Sequence, residues 1–572
     1  MTVSRARRVR AASAGLALLL ALTGCTGLPL SGPVTAGIAP GDAAEGPDPQ
    51  FYAGAPTAGA SPEEIVTGFV EAAISPQDSW ETARLYLDGD LARDWQPQSG
   101  VFVDSADSRE YRVVDDAVTV TIDPTATVDE HGTYTTSATG TVELPFRLAQ
   151  REDGEWRIVE APDGIVLDRQ SFASIYSDHT LAYFDPTWTY LVPDVRWFPT
   201  SGNTATYIVR ELVDGAPSPW LAGSVASAFS QDIDLAESSV PVDTDQVAHV
   251  QLNDVAAGAD STARGRMMAQ LNASLTNSGV QSVSLTIEND ETPLQANAVS
   301  VAQTRPDSRA LVLRSGEFGF LSGSELTRID GLSDTVEDME GSIDSIAVSR
   351  DQQVAAVLQS SGRVHRLTSD GQTDHVDDER EGLIDPAIDP FGYIWTAAED
   401  DPERLIAWAP ELEPFAIQGA WGGASTITAM SMSRDGSRLA ALVSSGGQDL
   451  AVVSSVRRDR TGKPTGLGEA MRVTQLTEPG IAVSWIEDGR IGIVSGDGST
   501  TTVIEQQVGG PAERSTAPSG VVSIQFGTQD SSVRLLDDEG TVYMRRGSSW
   551  QATGADVSVI ATQMGTPQTP SD

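Results

Sequence analysis

Hydrophobic and polar positions change period several times along this chain, and each change predicts a different element. In "SPEEIVTGFVEAAI", Ile65, Val66, Phe69, Val70 and Ala73 recur at helical spacing and define one apolar face. Ser61 can cap that helix, Pro62 suits its first turn, and Glu64 closes an S-x-x-E capping box. A second helix is expected over "SWETARLYL", with Trp80, Leu85 and Leu87 available for burial. The period then drops to two in "REYRVVDDAVTVTID", "YTTSATGTVELPFRLAQ" and "GEWRIVEAPDGIVL", with an Asp153-Gly154 turn between the last two. Two helices before a curved antiparallel sheet predict an α+β domain over 61–185.

That order resembles the cone of nuclear-transport-factor-like and cystatin-like folds, whose apolar residues mostly fill the cone itself. The aromatic, proline-punctuated stretch "LAYFDPTWTYLVPDVRWFPTSG" marks the next boundary. From there to 296 the pattern reads as an α/β unit. "ATYIVRELVDGAPSPWLAGSVASAF" supplies a helix, a Pro-rich turn and a second short helix, and strand "VAHVQL" follows. "DSTARGRMMAQLNASLTNSG" is a helix with Met267, Leu271 and Leu275 on one face, stopped near Gly279, before strand "VQSVSLTIEND". The order over 186–296 resembles the GerMN domain of exported bacterial proteins.

From 297 to 560 the chain repeats itself. "AVSRDQQVAAVL" and "SMSRDGSRLAALV" place Asp351 and Asp435 84 residues apart, and "DPFGYIWTA" supplies a copy between them at Asp389. "RPDSRALVL" with Asp307, "WIEDGRIGIV" with Asp488 and "TQDSSVRLL" with Asp530 extend the series in both directions. The long step before Asp488 contains "RRDRTGKPTGLG", read as a loop insertion. Copies of about 42 residues, each a turn followed by β-rich alternation, match four-stranded propeller blades, and six blades are expected. A flexible tail is expected over 561–572.

The amino terminus has no such periodicity. Arg5, Arg7, Arg8 and Arg10 precede the apolar run "AGLALLLAL", which is a secretory signal too short to span as a stable helix. Leu22, Thr23, Gly24 and Cys25 then resemble a bacterial lipobox, which makes 1–24 a lipoprotein signal peptide and Cys25 the lipidation site. Only a thiolate can attack the diacylglyceryl donor, and small residues at 23 and 24 admit the peptidase. Two or three acyl chains, at about 0.8 kcal/mol per buried methylene, would anchor the mature chain stably at the extracytoplasmic face of the membrane. Residues 25–60, rich in Gly, Pro and Ala, read as a disordered tether that could extend to roughly 120 Å.

Charge narrows the partners. The chain carries 37 basic and 81 acidic residues, a net of −44, and cleavage before Cys25 would make the balance more acidic. Nucleic acid is excluded as an expected partner. Cys25 is the single cysteine, so no disulfide can staple the exported body. Lys463 is the single lysine, which fits a GC-rich, actinobacterial coding sequence.

An enzyme would need a constellation, and none is visible. His131, His179, His249, His365 and His375 are scattered across the predicted domains, without an H-E-x-x-H motif or a close ligand pair. No G-x-S-x-G elbow occurs, and "TGKPTG" has Pro464 where a P-loop requires Ser or Thr. The acidic runs "DTVEDMEGSID" and "DHVDDEREG" match no calcium loop and read as solvated propeller loops. No catalytic residue, cofactor or metal site is therefore expected.

The whole order, with "LTGCTGLP", "VRWFPT", "PSPWL" and "RGRMMAQLN", resembles the LpqB family of actinobacterial lipoproteins. The resemblance implies a membrane-anchored accessory to the MtrAB two-component system, acting on the extracytoplasmic domain of the sensor histidine kinase MtrB and so on cell-wall homeostasis and division. Two other functions compete with it: a lipoprotein holding peptidoglycan or another wall polymer, and a propeller lyase or hydrolase of the envelope.

Overall fold

A computed structural model describes residues 54–566, apart from 77–79, 137–139, 201–203, 291, 324, 498–499 and 528–531. Cys25, the signal segment, most of the tether and Asp530 lie outside the described residues. The described residues form one compact unit.

The first helix, Pro62–Ala72, carries the capping box its sequence predicts: the Ser61 backbone N–H donates to Glu64 Oε2 at 2.8 Å, and the Glu64 N–H donates to Ser61 Oγ at 3.3 Å. Its apolar face is buried, and Phe69 packs against Trp95 and Phe146 with ring centroids 5.0 and 5.9 Å apart. The second helix is only Glu81–Arg84. Trp80 and Leu87 are buried beside it, but Leu85 faces solvent.

Around this helix the expected curved sheet is two four-stranded sheets. One is antiparallel, ordered Glu110–Val114, Ala117–Ile122, Val142–Gln150 and Trp156–Glu160. In the other, Gly100–Asp104 pairs in parallel with Ile165–Asp168, which alternation alone cannot reveal. Residues 54–60, counted in the tether by composition, rest on this region: Gly59 N–H donates to both Glu155 carboxylate oxygens, and Tyr86 donates to the Gly54 carbonyl.

The aromatic stretch read as a boundary is a long hairpin, Tyr176–Phe184 paired with Leu191–Pro199 over nine residues. A division at 185/186 falls in its turn and would separate a pair of hydrogen-bonded strands. The middle region continues with helix Thr204–Val213, where the expected second short helix is a single 3-10 turn, Pro219–Leu221. Strands Val247–Leu252 and Ser282–Ile287 pair in parallel, joined through helix Ser261–Leu275. Asp260 caps that helix through the Thr262 and Ala263 N–H groups, and Met267, Leu271 and Leu275 are buried as their spacing predicts.

Residues 310–563 build a β-rich, propeller-like region of six successive sheets, numbered one to six in chain order. The first strands of consecutive sheets touch: Ile343–Val348, Ala387–Ile388, Ala424–Met432, Gly480–Glu487 and Val521–Gln525 follow one another round, and Val557–Ile560 completes the circuit. That last strand comes from the carboxyl end yet pairs with Ala310–Arg314 of sheet one. The chain then runs on. Thr562–Gln563 pairs in parallel with sheet two, and Ala561 and Met564 are buried, so the expected flexible tail from 561 belongs to the fold as far as 566. "RRDRTGKPTGLG" is no loose insertion either: it turns Gln448–Arg458 into Pro464–Leu467 and helps give sheet four a fifth strand.

Candidate functional site at the domain junction and central channel

The repeated aspartates are structural. Asp351, Asp389, Asp435 and Asp488 accept hydrogen bonds in or beside the turn after a sheet's first strand, and Asp307 accepts from Arg309 just before Ala310–Arg314. Asp389 Oδ1 accepts from the Phe391 and Tyr393 N–H groups at 3.0 and 2.9 Å, while Oδ2 accepts from Trp395 Nε1 at 3.0 Å and from buried Arg458 at 2.7 Å. Asp435 accepts from Ser433 Oγ and the Ser437 N–H, and pairs with buried Arg438. These side chains clamp turns and are consumed in doing so. They also fix direction: the first strands of sheets two to five run toward the end of the ring where these turns gather.

At that end the middle region is docked. Asp185 folds the tip of the 176–199 hairpin by accepting from the Thr187, Thr189 and Tyr190 N–H groups at 2.9, 2.8 and 2.6 Å. The tip carries Tyr190 to the propeller, where its hydroxyl accepts from Arg350 Nη1 at 2.7 Å and its ring meets Phe391 edge-on at 6.0 Å. Burial pushes the Tyr190 hydroxyl above its ordinary value, and the Arg350 charge partly opposes this. Arg434 completes the end. Almost fully buried, it donates to the carbonyls of Trp485, Ile486 and Phe526 at 3.0, 3.2 and 3.4 Å, reaching from sheet four to the ends of the first strands of sheets five and six. Burial lowers its pKa, against the charges of Asp488 and Glu487.

"VRWFPT" is a three-way junction. Trp197 packs on Tyr134 and Phe172 of the N-terminal region, with centroids 5.8 and 5.0 Å apart, and its indole N–H donates to the Gly509 carbonyl of sheet five at 2.8 Å. Its neighbour Phe198 belongs to the middle core and stacks on Tyr207 at 5.6 Å. Arg196 pairs with Asp194 at 2.9 Å, both almost fully buried. Burial lowers the Arg196 pKa, but the Asp194 charge and hydrogen bond outweigh it, so the net direction is up. Asp194 also accepts from the Ser218 N–H and hydroxyl at 2.8 and 2.6 Å, which ties in "PSPWL". From that loop the Trp220 carbonyl accepts from Ser455 Oγ of sheet four at 2.7 Å. In "RGRMMAQLN", Arg266 lies 4.0 Å over the Trp188 ring, and Gln270 donates to the Ala182 carbonyl at 2.8 Å.

The opposite end of the ring is open. A central channel of about 380 Å³ runs between the first strands, walled by Ile388, Met430, Ile524 and Met564. Asp344 and Asp385 stand at the start of their strands, at the open end. Asp385 is reached by solvent, but surrounding protein desolvates its carboxyl. That burial, with the Asp344 charge, raises its pKa.

Three of the histidines sit in separate polar settings, and the other two are brought together. His131 meets Glu211 at 3.1 Å, His179 meets Ser177 at 2.9 Å, and His249 meets Asp243 at 2.9 Å. His365 and His375 lie directly opposite on adjacent strands with ring centroids 5.3 Å apart, a pairing that the search for ligand motifs missed. They are equidistant from Asp370, beside the Gly371 turn, and that symmetry was the available signal. Burial, then the charges of His375 and Arg363, hold His365 below the ordinary imidazole value. Among the described residues no group of three or more His, Cys, Asp or Glu is placed to hold a metal ion. The acidic runs are partly structural: Glu337 and Asp334 pair with Arg328, and buried Asp378 pairs with Arg380 and accepts from Thr396.

Among the described residues, no helix is long and apolar enough to cross a membrane. Comparison with known proteins matches three families along the chain: "Lipoprotein LpqB, N-terminal domain" over 55–173, "Sporulation and spore germination" (Germane) over 180–292, and "Lipoprotein LpqB beta-propeller domain" over 316–560. Lipoprotein LpqB of Bifidobacterium longum is 26% identical, covering 97% of this chain and 99% of the relative. Lipoprotein LpqB of Streptomyces avermitilis is 28% identical, covering 93% and 94%. A streptogramin B lyase structure is 11% identical with a TM-score of 0.28, over 38% of this chain and 70% of that one, a likeness too slight to bear on activity. With three family matches in the order of its three regions and relatives alike over nearly its full length, the chain belongs to the LpqB lipoprotein family, with an N-terminal α+β domain, a Germane domain and a C-terminal β-propeller domain.

Proposed function

We propose that this lipoprotein is a non-enzymatic accessory regulator of a two-component sensor kinase of the MtrAB type, anchored through Cys25 at the extracytoplasmic face of the membrane. The observation that carries the reading is the three-way junction at Trp197, which makes the domains one body with one end of the ring covered and the other free. A regulator needs this kind of rigid surface, because it shifts a sensor by binding one of its states better than the other. The six sheets are taken as six blades of a closed ring, whose free end offers converging loops for docking. A lipid anchor confines both partners to one surface, so a modest contact suffices.

In-cell crosslinking from the open end of the propeller and from the Germane domain tests this directly. The sensor kinase is the expected partner, and recovery of wall polymer in its place would overturn the reading. A Cys25→Ala chain should leave the membrane fraction and lose its effect on kinase output. Undiminished signalling from that unanchored chain would count against the tethering mechanism.

A further inference from the structure

We propose that the central channel of the propeller is a binding site for a small organic cation, an ammonium group carried on an apolar body, with Asp385 as the counter-charge. The channel is closed by packing at one end, where Tyr190 and Arg434 lie, and open at the other, so a ligand has one way in. Its volume, about 380 Å³, falls in the size class of small-molecule sites. Ile481, Ala482 and Val522 keep part of their apolar surface accessible in the lining and suit a hydrocarbon body.

The head group follows from the charge at the mouth. Asp385 is desolvated by the sheets around it and repelled by Asp344, and among the described residues no arginine or lysine pairs with it. Asp344 accepts from Ser360 Oγ, whereas Asp385 has no such donor among the described residues, the buried Ser345 hydroxyl making no hydrogen bond. An ammonium beside Asp385 would relieve both the desolvation and the repulsion. An anion would add to them, and a neutral head would leave the carboxylate uncompensated. A divalent metal fits less well, since it asks for six or more oxygen ligands and no group of three metal-binding side chains is described there. The strongly acidic surface of the chain favours cation entry as well.

The site can be probed with three six-carbon compounds that differ only in their heads: hexylamine, hexanol and hexanoate. Each is titrated calorimetrically at neutral pH into the full chain carrying Cys25→Ala. Hexylamine should bind saturably at least about tenfold more tightly than hexanol, the increment of one charge-assisted hydrogen bond, and hexanoate more weakly than either. Asp385→Asn should bring hexylamine to the level of hexanol while leaving hexanol unchanged. Ala482→Phe, which fills the channel wall, should abolish both. Equal affinities for the three heads in the wild-type chain overturn the proposal without any variant. So does the absence of saturable binding, a hexylamine advantage over hexanol that survives Asp385→Asn, or hexylamine binding that survives Ala482→Phe. The inference stands apart from the kinase reading, and failure of either leaves the other intact.

Discussion

Replacing Asp194 by Ala tests whether the buried Asp194–Arg196 pair organises the domain junction. The guanidinium is 2% exposed and also donates to the carbonyls of His131 and Ala216, both at 2.9 Å, so it cannot swing into water without tearing the loops it holds. The substitution leaves a buried cation without its counter-charge and strips the Ser218 N–H of its acceptor. Breaking such a pair costs about 3–5 kcal/mol, a large fraction of a domain's stability. Asp194→Asn keeps one carbonyl acceptor and the side-chain volume, so its loss should be smaller. Replacing both partners with apolar residues, Asp194→Leu with Arg196→Met, removes the stranded charge and should recover much of the loss. Urea unfolding followed by tryptophan fluorescence reads the effect, because Trp197 follows Arg196 directly in the chain and touches both the N-terminal core and sheet five. A loss below about 1 kcal/mol for Asp194→Ala, or a double variant no better than the single one, would refute the reasoning.

Two further outcomes follow from single residues. Gly265→Ala should destabilise by about 1–3 kcal/mol in thermal unfolding, although alanine is the better helix former by about 1 kcal/mol, because its Cβ would clash with the Asn297 carbonyl packed on helix Ser261–Leu275; a raised melting temperature would contradict this. Asp168 caps helix Arg169–Ile175; burial raises its pKa, but hydrogen bonds from Ser171 and Gln170 and the Arg109 charge outweigh this and hold it below the ordinary carboxyl value. Its stabilisation is therefore complete above that ordinary value and lost as pH falls through the lower folded one, so Asp168→Ala should cost about 1 kcal/mol at neutral pH and the difference from wild type should vanish in acid.

What the sequence revealed and what it hid divide along the range of the interactions. The Ser61–Glu64 capping box and the Met267, Leu271 and Leu275 stripe are local, set within one or two helical turns, and the structure has both. The aspartate repeat was legible because Asp351, Asp389 and Asp435 each bond to the neighbours of their own turn. Hidden were the contacts that join distant segments. The parallel pairing of Gly100–Asp104 with Ile165–Asp168 and the closing strand at 557–560 leave no trace in alternation. "VRWFPT" was singled out only by resemblance, because its strand serves two cores and bonds to the propeller, and shows the pattern of neither core. The channel was hidden for the same reason: Asp344 and Asp385 are 41 residues apart, and only closure of the ring puts them at one mouth.

That strand also decides how the protein can be taken apart. Trp197 fills a site in the N-terminal core and bonds to Gly509, while Tyr190 lies on Arg350 and Phe391. Deleting the Germane domain would therefore uncover apolar surface on both its neighbours and unseat the covered end of the ring. Loss of function in such a deletion would report the missing support as much as a missing contact. Substitutions at the open mouth do not carry that ambiguity. Asp344 and Asp385 stand at the opposite end of the strands from the junction, so changing them leaves the Trp197 and Tyr190 contacts in place and addresses the free face by itself.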